Sequence, residues 1–200
     1  MTPQRSSDKA ELRGQTRAAL KAMSPAQQAA GSLQIRARIA KQECWREARS
    51  ILFYASLPDE PDVWQLLLGA LAAGKTAALP RFAGEHQKYV ACRINDVGRD
   101  LCEGRFGIRE PREDCIEIPL NQLDFVLVPG VAFDLDGHRL GRGKGHYDRL
   151  LASFEGLACG VAFDQQVVGH VPVEPHDAQL SCILTPTRWH WVAGQRAVLK

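Results

Sequence analysis

The residues best suited to chemistry crowd into one stretch of this 200-residue chain. The run Asp124-Phe125-Val126-Leu127-Val128 leads through Pro129-Gly130-Val131-Ala132-Phe133-Asp134 into Gly137-His138-Arg139-Leu140-Gly141-Arg142-Gly143-Lys144-Gly145-His146-Tyr147-Asp148-Arg149. Glycines at 141, 143 and 145 let backbone amides approach an anion closely, while Arg139, Arg142, Lys144 and Arg149 surround them with positive charge. The spacing predicts a helix over 146–151, its first amides turned back towards the same anion. This is the pattern of a phosphate cradle. Glycine and arginine also gather in solvated turns. Here an apolar strand precedes the loop, an acid stands at each end (Asp134, Asp148), and Lys144 sits between glycines with no carboxylate beside it. No Ser or Thr follows Lys144 and the glycine spacing is unlike either fingerprint, so neither a Walker loop nor a dinucleotide motif is present.

Further charges have two readings each. Lys9 and Arg13, at i and i+4, share a helix face where like charges repel, an arrangement that suits an anion or a solvated basic surface. Glu60, in Leu57-Pro58-Asp59-Glu60-Pro61, and Asp177, after Pro175-His176, lie between predicted strands and helices, where acids bind ligands or serve as solvated caps. Cys102 and Cys115 have no histidine at a recognisable spacing and read as packing residues. Trp189-His190-Trp191 alternates as an edge strand would, and His138 is expected to face solvent on a turn.

The elements that must position these groups alternate along the chain. Asp8 with Glu11 predicts the N-terminal cap of a basic helix running to Lys21. Ser24-Pro25 with Gln27 predicts a second helix that carries Leu33, Ile35 and Ile39. Short, nearly continuous apolar runs at 50–55, 76–79, 125–128, 157–163 and 181–184 suit strands covered on both faces. Residues 63–73, closed by Gly74, predict a crossover helix between the first two. The stretch 82–122 is richer in charge and turn residues and reads as an excursion over the sheet, with one strand at 89–94. The expected fold class is α/β: one domain over 1–200, in three layers, with a mostly parallel central sheet flanked by helices in a Rossmann-like arrangement. Ligands of such sheets gather beyond the carboxyl ends of the strands, where Glu60, the glycine loop and Asp177 all fall.

Bulk properties narrow the classes. A net charge of +2 offers no field for nucleic acid, so the positive charge is local and suits a small anion. The six cysteines show no C-x-x-C pair. They suit a reducing compartment, although an even count also suits disulfides in a secreted protein. Residues 1–7 are polar, no apolar run approaches a membrane span, and a cytoplasmic monomer that binds neither membrane nor nucleic acid is expected.

The loop P-G-x-A-F-D-x-x-G-x-R-L-G-x-G-x-G-x-Y-D-R resembles the signature of the 5-formyltetrahydrofolate cyclo-ligases, also called 5,10-methenyltetrahydrofolate synthetases, of one-carbon metabolism. Lys9-Ala10-Glu11-Leu12-Arg13 and Phe106-Gly107-Ile108-Arg109-Glu110-Pro111 are similar to the family in order and spacing. The resemblance implies an ATP- and Mg²⁺-dependent ligase acting on 5-formyltetrahydrofolate, with or without a polyglutamate tail. It implies ATP contacts from Lys9, Arg13, Arg139, Gly141, Arg142, Gly143, Lys144, Gly145, His146, Tyr147, Asp148 and Arg149. Catalytic roles then fall to Lys144, Arg13 and Tyr147, folate contacts to Glu60, Phe106 and Tyr147, and magnesium to Asp148 and Asp177. Three positions depart from the family pattern: His146 stands where an aromatic is common, Val63 where threonine is common, and Phe106 where some members carry tryptophan. Two other classes compete: an α/β enzyme acting on a sugar phosphate or coenzyme A thioester, and a non-catalytic nucleotide-binding regulator.

Overall fold

Strands covered by helices on both sides have no solvent face to reserve for polar residues, and the uninterrupted apolar runs form the middle of one large sheet. The computed structural model describes residues 3–84, 88–104, 107–175 and 177–195. Its helices are α1 (Pro3–Lys21), α2 (Pro25–Ile39), α3 (Glu43–Glu47), α4 (Trp64–Ala72) and α5 (His146–Leu151). Its strands are β1 (Ser50–Leu52), β2 (Thr76–Ala83), β3 (Lys88–Ile94), β4 (Leu101–Glu103), β5 (Arg109–Pro111), β6 (Glu117–Ile118), β7 (Phe125–Val128), β8 (Ala132–Phe133), β9 (Arg139–Leu140), β10 (Leu157–Val161), β11 (Cys182–Leu184) and β12 (Trp189–Trp191). Eight strands form the main sheet in the order β12-β11-β10-β7-β1-β2-β3-β6. The five from β11 to β2 are parallel, and β12, β3 and β6 add antiparallel edges.

Successive strand residues point to opposite faces, so each central strand feeds two cores. Ile51, Ala77, Phe125, Leu127, Cys159 and Leu184 pack on one side with Ile35 and Ile39 of α2, Trp45 of α3 and Leu67 of α4. Leu52, Ala78, Val126, Val128, Ala158 and Ile183 pack on the other with Leu150 and Leu151 of α5. The result is a mostly parallel sheet between two helical layers, as expected.

Local signals account for several boundaries. Ser24 Oγ accepts the Gln27 N–H at 3.2 Å while Gln27 Oε1 accepts the Ser24 N–H at 2.7 Å, with Pro25 opening the helix. Ile35 and Ile39 are buried in α2, whereas Leu33 is exposed. After α4 the chain reverses at Gly74, with φ of 73°. Elsewhere the expectation needs correction. Helix α1 starts at Pro3, so Asp8 and Glu11 lie within it; proline suits a first turn because its missing N–H has no helical partner there. Runs 50–55 and 157–163 leave the sheet after Leu52 and Val161. Of their remaining residues, Phe53, Tyr54, Ala162 and Phe163 are buried in loops. Residues 82–122 extend the sheet through β3 and β6 and add the β4–β5 hairpin. Trp189–Trp191 does form an edge strand, with the two indoles 5.5 Å apart and edge to face.

Candidate active site

Strands β1 and β7 are neighbours, yet the chain proceeds from β1 towards β2 and from β7 towards β10 and β11. Connections therefore diverge at this pair and open a crevice beyond its carboxyl ends. Glu60 follows β1, the glycine loop follows β7, and Asp177 lies between β10 and β11. Lys9 and Arg13 arrive from α1. All five positions line one cavity of about 500 Å³, together with Arg139, Gly141, Arg142, Gly143, Lys144, Gly145, His146, Tyr147 and Asp148.

The glycine loop has the backbone its composition requires. Gly143 and Gly145 have φ of 103° and 60°, in the left-handed region open to glycine. Gly145 immediately precedes α5 and offers no side-chain cap to its first amides. Arg13 Nε donates to the Gly141 carbonyl at 2.9 Å, which fixes the loop against α1. Burial, and secondarily Arg17, holds the Arg13 guanidinium below its ordinary pKa. Lys144 is exposed on the loop. The Gln166 amide supports the approach to the loop, donating to the carbonyls of Gly130 and Val131 at 2.7 and 3.2 Å.

Three expected ligand contacts are also bound to one another or to acids. Arg139, buried beside the cavity, donates to Asp148 Oδ1 at 2.6 Å and lies over the Tyr147 ring at 5.6 Å. Lys9 donates to Asp177 Oδ2 at 3.1 Å and lies 3.6 Å from Glu174 Oε1. Arg142 bonds Asp59 at 2.6 Å and Glu60 at 3.3 Å. The Glu60 carboxylate also accepts the Leu57 N–H at 3.0 Å, and the Tyr54 hydroxyl donates to the Pro61 carbonyl at 2.8 Å to secure the loop. Burial raises the Glu60 pKa despite these bonds and Arg142.

Next to the charges lies an aromatic group. His146 packs edge to face on Phe82 at 5.3 Å and Tyr89 at 5.0 Å, and Tyr89 lies 6.3 Å from Tyr147. His146 thus behaves as a ring in a ring cluster, which explains how it stands where an aromatic is common. Burial, followed by Arg149 and Lys144, lowers its pKa. Burial, followed by Glu60 and Tyr89, pushes the Tyr147 phenol far above its ordinary value, so it stays protonated.

Asp148 and Asp177 are hard oxygen donors on the cavity wall, with side chains 16% and 15% exposed. That donor set fits Mg²⁺, which takes one or two carboxylates and completes its shell with phosphate and water. The three-residue group Asp134, Asp136 and His138 has close ligand atoms too. Asp134 is instead a buried structural anchor. Its oxygens accept the N–H groups of Asp136 (3.1 Å), His138 (2.9 Å) and Val171 (2.9 Å), and its Oδ2 lies 3.1 Å from His138 Nδ1. His138 is accordingly turned towards Asp134 and only partly faces solvent.

Other expected residues fall elsewhere. Arg149 is exposed and bonds His146 Nδ1 at 2.8 Å; it does not line the cavity. Val63 is fully buried at the start of α4, where a threonine would cap a helix. Its hydrocarbon side chain is therefore no loss to the cavity. Cys115 is half-buried with its sulfur near the Asp100 carbonyl, whereas Cys102 is exposed, its sulfur near the Glu110 carbonyl, and is not a packing residue. Phe106 lies outside the described residues. Sequence reasoning missed Asp59, Tyr89, Arg109 and Glu174. Asp59 and Glu174 were signalled only by nearness to Glu60 and Asp177, Tyr89 arrives from β3 near one edge of the sheet, and Arg109 arrives from the separate β4–β5 hairpin.

The divergence point, with the glycine loop and its cations on one cavity beyond the strand ends, defines an α/β protein of the open-sheet class. The sequence profile described as the 5-formyltetrahydrofolate cyclo-ligase family matches residues 5–186, and the chain belongs to that family of enzymes. It is 26% identical over 189 residues to a Mus musculus 5-formyltetrahydrofolate cyclo-ligase, covering 89% of this chain and 93% of that protein. Over 149 residues it is 33% identical to the Escherichia coli K12 cyclo-ligase, covering 72% and 82%. The solved Aquifex aeolicus 5,10-methenyltetrahydrofolate synthetase superposes with a TM-score of 0.84 at 29% identity, over 95% of each chain. Among the described residues no helix is long and apolar enough to cross a membrane.

Proposed function

We propose that this enzyme converts 5-formyltetrahydrofolate to 5,10-methenyltetrahydrofolate with ATP and Mg²⁺, releasing ADP and phosphate. One observation carries the reading: a single cavity joins the glycine loop and its cations to Glu60 and the Tyr89–Tyr147 aromatic surface. The formyl oxygen must leave as the ring closes, and hydroxide is a poor leaving group. Transfer of the γ-phosphoryl group to that oxygen makes it part of a good one. N10 then attacks the formyl carbon and gives up its proton to solvent, the C–O bond breaks with its electron pair going to oxygen, and phosphate departs to leave the methenyl bridge.

The protein's part is positioning and charge stabilisation. Lys144 and Arg13 neutralise charge on the transferring group, and the amides around Gly143 and Gly145 cradle the phosphates. Lys9 moves its ammonium from Asp177 towards phosphate oxygen. Asp148 and Asp177 would hold Mg²⁺, which supplies further charge neutralisation when bound. Glu60 accepts from the polar nitrogens of the pterin, while the Tyr147 ring supports its flat face and the protonated phenol is available as a donor.

The test is to mix purified protein with 5-formyltetrahydrofolate, ATP and Mg²⁺ and follow methenyl absorbance. The expected result is product equal to ADP and phosphate, and none when nucleotide or metal is withheld. Product without nucleotide, or AMP in place of ADP, would overturn phosphoryl transfer to the formyl oxygen.

A further inference from the structure

The cavity's guanidinium groups do not share one kind of surrounding. Arg13 faces a carbonyl, Arg139 faces Asp148, and Arg142 faces Asp59 and Glu60. Arg139 also lies over a ring, that of Tyr147, but it donates to Asp148. Arg109 lines the cavity with its guanidinium over the indole of Trp64, its Cζ 5.1 Å from the ring centroid. Arg109 is exposed while lining the cavity, so it stands where the cavity meets solvent. Trp64 opens α4 and is half-buried against the core that packs beneath the sheet, which makes it a fixed platform.

A guanidinium stacked on an indole is oriented without using its N–H groups. Such a contact leaves the planar fork of donors for a partner, and that fork matches a carboxylate with two parallel hydrogen bonds. The adjoining Ile108 and Tyr89 also line the cavity and present apolar and aromatic surface. A ligand with an aromatic body and a carboxylate at its solvent end fits this order of surfaces. If the substrate is the folate of the preceding section, on which this inference rests, its solvent end is a glutamate.

We propose that Arg109, held by Trp64, binds the glutamyl carboxylates of the substrate and gives the enzyme its preference for glutamate-bearing folates. Arg109 is then a binding residue for the tail, and Trp64 is a positioning residue that acts through it.

The test measures equilibrium binding of 5-formyltetrahydrofolate, the glutamate-bearing compound, and of its analogue with both glutamate carboxylates converted to neutral amides, without nucleotide so that turnover is not required. Wild type is expected to bind the glutamate-bearing compound about tenfold more tightly, the scale of one hydrogen-bonded charge pair. Arg109→Ala should abolish that ratio. Arg109→Lys, which keeps a charge but not the planar fork, should retain part of it. Trp64→Leu should reduce the ratio while Arg109 is still present. Thermal melts establish that each variant is folded. An unchanged ratio in Arg109→Ala, equal weakening for both compounds, or no preference in wild type would overturn the assignment. So would a loss of ATP affinity with the ratio intact, which would move Arg109 to the phosphates. Failure of the cyclisation assay with this ratio still dependent on Arg109 would refute the proposed reaction and leave the tail site standing.

Discussion

The glycine loop and the aromatic cluster share a cavity but are assembled differently. Around the loop, cations are held by oxygen: Arg139 by Asp148, Lys9 by Asp177 and Arg13 by the Gly141 carbonyl. Around Tyr89 the rings of Phe82, His146 and Tyr147 hold one another by edge and tilt contacts. The first region must exchange some internal partners, that of Lys9 among them, for those of a ligand, whereas the second is already shaped and only has to be filled. Substitutions near the loop should therefore act on turnover and metal requirement. Those near the rings should act on affinity and on the pH range of stability.

The most severe expected break in this contrast is Lys144→Ala. Deleting one donor to a transferring group should lower kcat by roughly 10²-fold or more, while the melting temperature hardly moves because the side chain is exposed. Steady-state rates paired with a thermal melt decide it, and near-normal turnover would place the phosphates elsewhere.

Next in size come Asp148→Asn and Asp177→Asn. Each is expected to raise the Mg²⁺ concentration for half-maximal rate by about tenfold, the cost of weakening one carboxylate contact. Asp148→Asn should also cost about 2 kcal/mol of stability, because it deprives the buried Arg139 of its charged acceptor. Rate against Mg²⁺ at saturating ATP and folate, with a denaturant titration, separates the effects. An unchanged Mg²⁺ dependence in both variants would remove these residues from the metal site.

Glu60→Gln sharpens the boundary between the two regions. The folate KM should rise about fivefold, as one hydrogen bond from a charged acceptor is weakened. Stability should change in the opposite sense. Burial raises the folded pKa of Glu60, so its favourable contribution is present below the unfolded value of about 4.3 and is lost as pH rises through the folded value. Gln keeps the neutral form, so the variant should melt higher than wild type at pH 7 and match it near pH 4. A lower melting temperature at pH 7 would mean that the Arg142 bond outweighs burial.

The smallest effect concerns His146→Tyr. The folded pKa of His146 is depressed by burial and by its cationic neighbours, so its contribution is present above the unfolded value of about 6.5 and lost as pH falls through the folded value. Tyrosine does not titrate there. The fall in melting temperature from pH 7 to pH 5 should be shallower in the variant, and equal slopes would show that His146 is not responsible.

The sequence revealed elements where a local rule had a single solution. Ser24 with Gln27 could satisfy two helix-start amides at once, and Gly74 could take a conformation that halts α4. Strand ends were less legible because Phe53 and Tyr54 are as buried as Ile51, yet belong to a loop. Apolarity reports burial and is silent on backbone pairing. The two-residue strands β8 and β9 are too short to display a period. In the site, Lys144 and the glycines declared themselves within one segment. The partners of the charges did not: Arg142 reaches Glu60 across 82 positions and Lys9 reaches Asp177 across 168. Only the topology of the sheet brings these together, and Arg109 was hidden for the same reason, since its Trp64 platform belongs to a separate helix.

The bond between Arg139 and Asp148 joins residues nine apart in sequence, at the two ends of the segment that holds all three glycines of the cradle. It ties that segment into a ring before any ligand arrives. Closing a flexible loop of this length costs roughly 2 kcal/mol of chain entropy. With the ends already tied during folding, that disorder need not be lost again when an anion binds. The most flexible residues of the signature are thus confined to a short arc, and the freedom glycine brings is spent on shape without leaving the arc free to wander.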